Sequence, residues 1–172
     1  MSVTAAEGFV AAGHAAGIKV DRRDTALLAT DDGRPVPTAA VFTTNKFRAP
    51  PVEACVDRLT ASGGMAAGVV VNSGNANAGT GPKGRADAEA MCDAAADAVG
   101  CDSGAMLVCS TGLIGYRLPM RKILGAIPAL GETLSRDGHR DAAKAILTTD
   151  TRPKDAVVRG DTFTVGGMAK GC

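Results

Sequence analysis

The chain has 172 residues, a formal net charge of +1, 45% hydrophobic and 3% aromatic residues, no tryptophan and 22 glycines. That length suits one domain, or one large piece of a bigger assembly, with a core of Ala, Val, Leu and Ile and close backbone approaches at glycine. The near-neutral charge gives no footprint for nucleic acid, and no apolar run approaches the ~18 residues of a membrane span. Met1 to Glu7 has neither a basic start nor a long apolar stretch, so no secretion signal is read there. Five cysteines (Cys55, Cys92, Cys101, Cys109 and Cys172) form no CxxC pair and lie near no histidine. Reduced thiols in a cytoplasmic protein are therefore expected, with no zinc or other metal site.

Gly8 to Lys19 mixes glycine and small residues without helical or strand period, and reads as an irregular segment leading to a strand near Ile18 and Val20. Thr25 to Thr30 and Thr38 to Thr44 are strand candidates, and Asp31-Asp-Gly-Arg34 between them suggests a hairpin. After Pro50-Pro51, Val52 to Leu59 has helical spacing and stops at Gly63-Gly64. Ala67 to Asn72 is a continuous apolar run closed by polar residues, which reads as a buried strand. An Ala-rich helix is predicted over 84–99, with Met91, Ala94, Ala95 and Ala98 inward. Met106 to Val108 is a further buried strand, and Cys109-Ser-Thr-Gly112 reads as a tight turn after it. Pro119 suits a first helical position, Met120, Ile123, Leu124 and Ile127 repeat at helical spacing, and Pro128 should kink or restart that helix.

Asp141 to Leu147 is another short helix. Ala156 to Arg159 and Thr162 to Val165 flank Gly160-Asp161, a two-residue hairpin turn. Interleaved strands and helices with hairpins at both ends favour a mixed sheet covered by helices, in one domain over 1–172. Val165-Gly-Gly-Met-Ala-Lys-Gly-Cys172 breaks off after a strand-like run with no polar tail, and looks like a cut.

The chemistry-bearing stretch is 105–115, where a strand feeds Cys109-Ser-Thr-Gly112. A hydroxyl and backbone N–H groups gathered there can stabilise a developing oxyanion, and the same residues also make an ordinary strand-to-helix loop. No base accompanies them, since His14 and His139 are each isolated. The loop Asn72-Ser-Gly-Asn-Ala-Asn-Ala-Gly-Thr-Gly81 fits neither GxGxxG nor GxxxxGK[ST], so a phosphate cradle is not supported and no cofactor is expected. Its amides commonly cap loops, and can also hold a catalytic group by hydrogen bonds. Cys109 has no adjacent base to make a thiolate and reads as inert. Lys170, set among Gly, Met and Ala after a strand, has the setting of a cation facing a ligand carboxylate, whereas Thr148 and Thr149 at a helix end could simply cap it.

Several stretches together resemble the ornithine acetyltransferase (glutamate N-acetyltransferase) family of arginine biosynthesis. They are Gly8-Phe9 with Ala11-Ala12-Gly13 and Ala16-Gly17-Ile18-Lys19; Ala40-Val-Phe-Thr-Thr-Asn45; Asn72-Ser-Gly-Asn-Ala-Asn77 with Thr80-Gly81; Cys109-Ser-Thr-Gly-Leu-Ile-Gly115; Leu118-Pro119-Met120; Thr148-Thr-Asp150; and Gly166-Gly-Met-Ala-Lys-Gly171. They run in order along the whole chain. The resemblance implies an αββα-type sandwich of the N-terminal-nucleophile-like kind, made as a precursor that cuts itself before a threonine. This chain would be the α chain, joined to a β chain in an α2β2 heterotetramer. Thr111 and Gly112 would form the oxyanion hole, and Thr148 and Lys170 would meet the substrate. The threonine heading the β chain would carry acetyl from N-acetylornithine to glutamate. Two other readings are an N-terminal-nucleophile aminopeptidase or amidase of related fold, and a non-catalytic small-ligand-binding module.

Overall fold

The computed structural model describes residues 2–171, and Cys172 lies outside them. Its centre is a four-stranded mixed sheet in the order β1 (Phe9–His14), β2 (Thr25–Thr30), β5 (Gly68–Asn75), β6 (Met106–Leu113). The first three pair antiparallel, and β5 and β6 pair parallel. A parallel neighbour needs a crossover. Helix α2 (Gly81–Val99) supplies it, ending on Gly100 in a left-handed conformation.

One sheet face is covered by α1 (Pro50–Ala61), α2 and α3 (Met120–Glu132). Leu27, Val70, Met106 and Val108 from the sheet meet Met91, Ile123, Ile127 and Leu130 from the helices, all essentially without exposure. The Ala-rich sequence of α2 explains the close approach: Ala88 and Ala95 are fully buried, and a Cβ on Gly131 of α3 would stand 2.7 Å from the Ala98 carbonyl oxygen. The opposite face carries the short α4 (His139–Ala145) against Ala11 and Ala26. Two further pairs stand apart: β3 (Val36–Pro37) with β4 (Met65–Ala66), and the hairpin of β7 (Lys154–Arg159) with β8 (Thr164–Ala169).

The mixed α/β class is as expected, and several elements differ from the sequence reading. Phe9–His14 is a strand, whereas Ile18 and Val20 are not. Its two faces both pack, Ala11 toward α4 and Ala12 into the main core, so no polar alternation marks it. The Cβ position of Gly13 is already filled by the Asp141 backbone. Residues 38–44 form no strand, and β2 makes no hairpin with them: it pairs with β1 and β5. Cys109-Ser-Thr-Gly112 is not a turn, because β6 continues through it to Leu113. Helix α3 runs on through Pro128, which lies on its exposed face, rather than restarting there. The β7–β8 loop is longer than two residues, with Arg159 paired to Thr164 and the Gly160 N–H bonded to the Phe163 carbonyl at 2.9 Å.

Candidate functional site

The two strands in parallel pairing bring two glycines side by side at their C-terminal ends. Ser73 pairs with Thr111 and Gly74 with Gly112, and the register is bulged at Asn75. Gly112 sits at φ +133, a region that residues with a Cβ rarely enter. A Cβ there would stand 2.6 Å from the Asn75 backbone nitrogen. Gly74 sits at φ +107, and a Cβ there would meet Ile18 at 2.9 Å and Lys19 at 3.0 Å. This is the end of a parallel pair, where open α/β sheets commonly bind ligands.

The asparagine loop fixes this end. Asn72 Nδ2 donates to the Asn75 carbonyl at 2.9 Å, and Asn75 Nδ2 donates to the carbonyls of Tyr116 and Arg117 at 3.2 and 3.0 Å. Asn77 Nδ2 donates to the Gly84 carbonyl at 2.8 Å, while its Oδ1 accepts from Thr80 at 2.7 Å. Asn72 and Asn77 are fully buried. These amides cap loops and strand ends, the first of their two sequence readings.

Thr111 shares the sheet face of Ser73, its register partner, which is the face that carries α4. The fully buried Ser73 hydroxyl donates to the Ala145 carbonyl at the end of α4. Two residues on, the Leu147 carbonyl accepts from Lys19 Nζ at 2.6 Å. Burial lowers the Lys19 pKa, with Asp24 opposing that shift. Lys19 is itself placed by Asp24, a buried carboxylate accepting from the N–H groups of Ala16 (2.6 Å), Ile18 (2.6 Å) and Lys19 (2.9 Å). The segment entering Thr148 is thus tied to the strand end next to Thr111.

Thr148 and Lys170 meet through Asp150. The Thr148 N–H donates to Asp150 Oδ2 at 3.2 Å, and Lys170 Nζ stands 4.0 Å from the same oxygen. Lys154 donates to Asp150 Oδ1, which also accepts from the Gly171 N–H at 3.0 Å. These donors hold the Asp150 carboxyl well below the usual carboxylate range, the Lys154 bond contributing most. Beside Thr148 opens a cavity of about 680 Å³ whose wall includes Lys19, Arg22, Arg23 and Lys144.

The four residues singled out in the sequence therefore form two pairs. Thr111 and Gly112 adjoin on β6, Thr148 and Lys170 share Asp150, and the link between the pairs runs through Ser73 and Lys19. Sequence reading missed Lys19, Asp24, Asp150 and Lys154 as parts of this region. Asp24 sits in the charged run Asp21-Arg-Arg-Asp24, which looks like a solvated surface. Cys109 retains exposed surface on the α4 side of the sheet, yet desolvation pushes its thiol up to about 11, against a nucleophilic thiolate. No group of three or more His, Cys, Asp or Glu placed to hold a metal occurs among the described residues. Nor is any helix among them long and apolar enough to cross a membrane.

Known proteins match nearly all of this chain. A bifunctional arginine biosynthesis protein, ArgJ, of Streptomyces coelicolor is 50% identical over 171 residues, covering 99% of this chain and 44% of that protein. ArgJ of Chlorobaculum tepidum is 46% identical over 169 residues, covering 96% of this chain and 41% of that protein. The chain thus spans less than half the length of these curated relatives. Among solved structures, the ornithine acetyltransferase of Mycobacterium tuberculosis, crystallised with ornithine, superposes with a TM-score of 0.93 at 43% identity, over 99% of this chain and 92% of that one. ArgJ of Bacillus halodurans gives 0.88 at 37% identity, over 100% and 91%. The ArgJ family model matches residues 10–172, from within β1 past the Lys170 segment, and the chain belongs to that family.

Proposed function

We propose that this chain is the α chain of a glutamate N-acetyltransferase, which moves acetyl from N-acetylornithine to glutamate in arginine biosynthesis. It works with a β chain cut from the same precursor, in an α2β2 heterotetramer. The observation that carries this reading is the strand end where Gly112 is pressed against Gly74 beside Thr111, with Thr148 and Lys170 tied to the same end of the sheet.

The β-chain threonine is the nucleophile, and its own α-amino group serves as base, since that amine titrates near ~8 rather than ~10. Its hydroxyl attacks the acetyl carbonyl and passes its proton to the amine. The oxygen of the tetrahedral intermediate takes its negative charge against the Thr111 hydroxyl and the Gly112 N–H. Collapse expels ornithine, which leaves with that proton, and acetyl stays on the threonine. The glutamate amine then attacks the ester and restores the free hydroxyl. Thr148 and Lys170 hold the amino-acid portion of each substrate, Lys170 offering its charge to a carboxylate. Water has to be kept from the ester, or transfer becomes hydrolysis.

The test is the whole protein of which this chain is a part, supplied with N-acetylornithine with and without glutamate. Formation of N-acetylglutamate with ping-pong kinetics is expected. Release of free acetate at a rate indifferent to glutamate would instead assign the protein to the hydrolases of related fold.

A further inference from the structure

Asp150 has no role in the chemistry just described, yet every group around it does or adjoins one that does. Its side chain is fully buried. One oxygen accepts from the Thr148 N–H and faces Lys170 Nζ at 4.0 Å. The other accepts from the Gly171 N–H and from Lys154. Lys154 also donates to the Gly171 carbonyl, so the Asp150–Lys154 pair grips that residue by both its N–H and its C=O.

The topology makes this arrangement consequential. Thr148 and Asp150 precede β7, while Lys170 and Gly171 follow β8, and the register pairs Lys154 with Ala169 at the open end of the hairpin. Thr148 and Lys170 come to the same Asp150 oxygen where that end is closed. A hairpin standing apart from the main sheet has no ladder of its own beyond Lys154 and Ala169 to fix where the two flanking segments lie. A buried carboxylate accepting several charge-assisted bonds is directional and strong enough to do so. An ordinary helix-end cap accepts from one N–H, whereas this carboxylate accepts from three donors drawn from both sides of a hairpin, with Lys170 Nζ 4.0 Å away.

We propose that Asp150 is the positioning residue of the amino-acid pocket: its carboxylate sets the distance between Thr148 and Lys170 and, with Lys154, locks the Gly171 segment against them. This rests on the reading of Thr148 and Lys170 as substrate contacts. The Asp150 carboxylate touches no substrate. It acts by holding the two groups that do, and its loss shows first in how well the amino-acid portion is held.

The experiment compares Asp150→Asn with Thr148→Ala, Lys170→Ala and wild type in the whole cleaved protein, with rates normalised to the cleaved fraction and folding checked by thermal melting. Asp150→Asn keeps the shape and removes the charge. It is expected to raise KM for N-acetylornithine about tenfold while kcat stays within about threefold, the pattern of lost ground-state binding. A purely structural tie would lower Tm and leave KM per cleaved enzyme unchanged, and that result would overturn the inference. If Asp150→Asn is not recovered folded and cleaved, Lys154→Met decides: KM raised about threefold supports the clamp, and an unchanged KM overturns it. The arms separate the two claims. Normal KM in Thr148→Ala and Lys170→Ala, or a wild type that transfers no acetyl, overturns the site reading and this inference with it. Raised KM in those two with normal KM in Asp150→Asn overturns this inference alone.

Discussion

At the scale of single residues, the proposed oxyanion hole depends on what Gly112 lacks and what Thr111 has. Any side chain at 112 enters the Gly74–Asn75 peptide, and the φ of +133 strains whatever residue is placed there. Gly112→Ala is therefore expected to destabilise the protein by more than about 1 kcal/mol, read as a fall in Tm, and to abolish acetyl transfer. Thr111→Ala leaves the backbone able to pair with Ser73 and removes one donor. Its expected effect is a loss of about 10²–10³-fold in kcat with little change in Tm, the usual cost of one oxyanion donor. Wild-type turnover in that variant would take Thr111 out of the mechanism. Cys109, two residues earlier on the same strand and face, tests the opposite case. With its thiol pushed up to about 11 it is a poor nucleophile, and Cys109→Ser should keep kcat within about twofold.

At the scale of elements, buried carboxylates rather than regular structure shape the segments around the site. Asp24 folds residues 16–19 around itself by accepting three backbone N–H bonds, and so places Lys19 beside Gly74 and under the Leu147 carbonyl. Asp24→Ala strands those N–H groups and should cost about 2–4 kcal/mol in chemical denaturation. Asp150 closes the β7–β8 hairpin in the same manner, and its carboxyl is held below the ordinary value of 3.8. A depressed carboxyl contributes stability in full above that value and loses it as pH falls toward the lower folded pKa. The Tm difference between wild type and Asp150→Asn should thus be constant from pH 5 to 7 and shrink below about pH 4, as melting in a pH series would record.

These carboxylates were hidden in the sequence for one reason: their partners are backbone groups brought from other segments, which no local pattern records. Elements with a period or strong punctuation were legible. Helix α1 opens on Pro50-Pro51, β2 spans Thr25–Thr30, and α3 buries Ile123 and Ile127 of the expected set together with Leu130. β1 was not, because small residues packed on both faces erase the alternation that marks a strand. Residues 38–44 show the converse, a strand-like composition with no strand paired to it among the described residues. Thr111, Gly112, Thr148 and Lys170 stood out through motifs shared with the family, whereas Asp150, which accepts from Thr148 and faces Lys170, was visible only as the end of Thr-Thr-Asp.

At the scale of the whole molecule, part of the exposed apolar surface directly follows the proposed site along the chain. Leu113, Ile114 and Tyr116 follow Thr111 and Gly112 with 64 to 69% exposure, and Val158, Phe163 and Val165 on the hairpin are 57 to 60% exposed. Clustered exposed apolar residues of this kind mark interaction surfaces. In the proposed assembly the β chain covers them and brings its threonine to the Gly112 N–H. Leu113→Glu combined with Ile114→Glu should then weaken recovery of the β chain with a tagged α chain by at least about tenfold, since each buried side chain contributes on the order of 1.5–3 kcal/mol.

The most direct test of the account is the mass of each chain in the whole protein after brief exposure to N-acetylornithine without glutamate. An acetyl group on a threonine-led partner chain, with this chain unmodified and the acetyl discharged on adding glutamate, is the predicted result. Acetyl carried on this chain, or no acetyl-enzyme while N-acetylglutamate still forms, would contradict it.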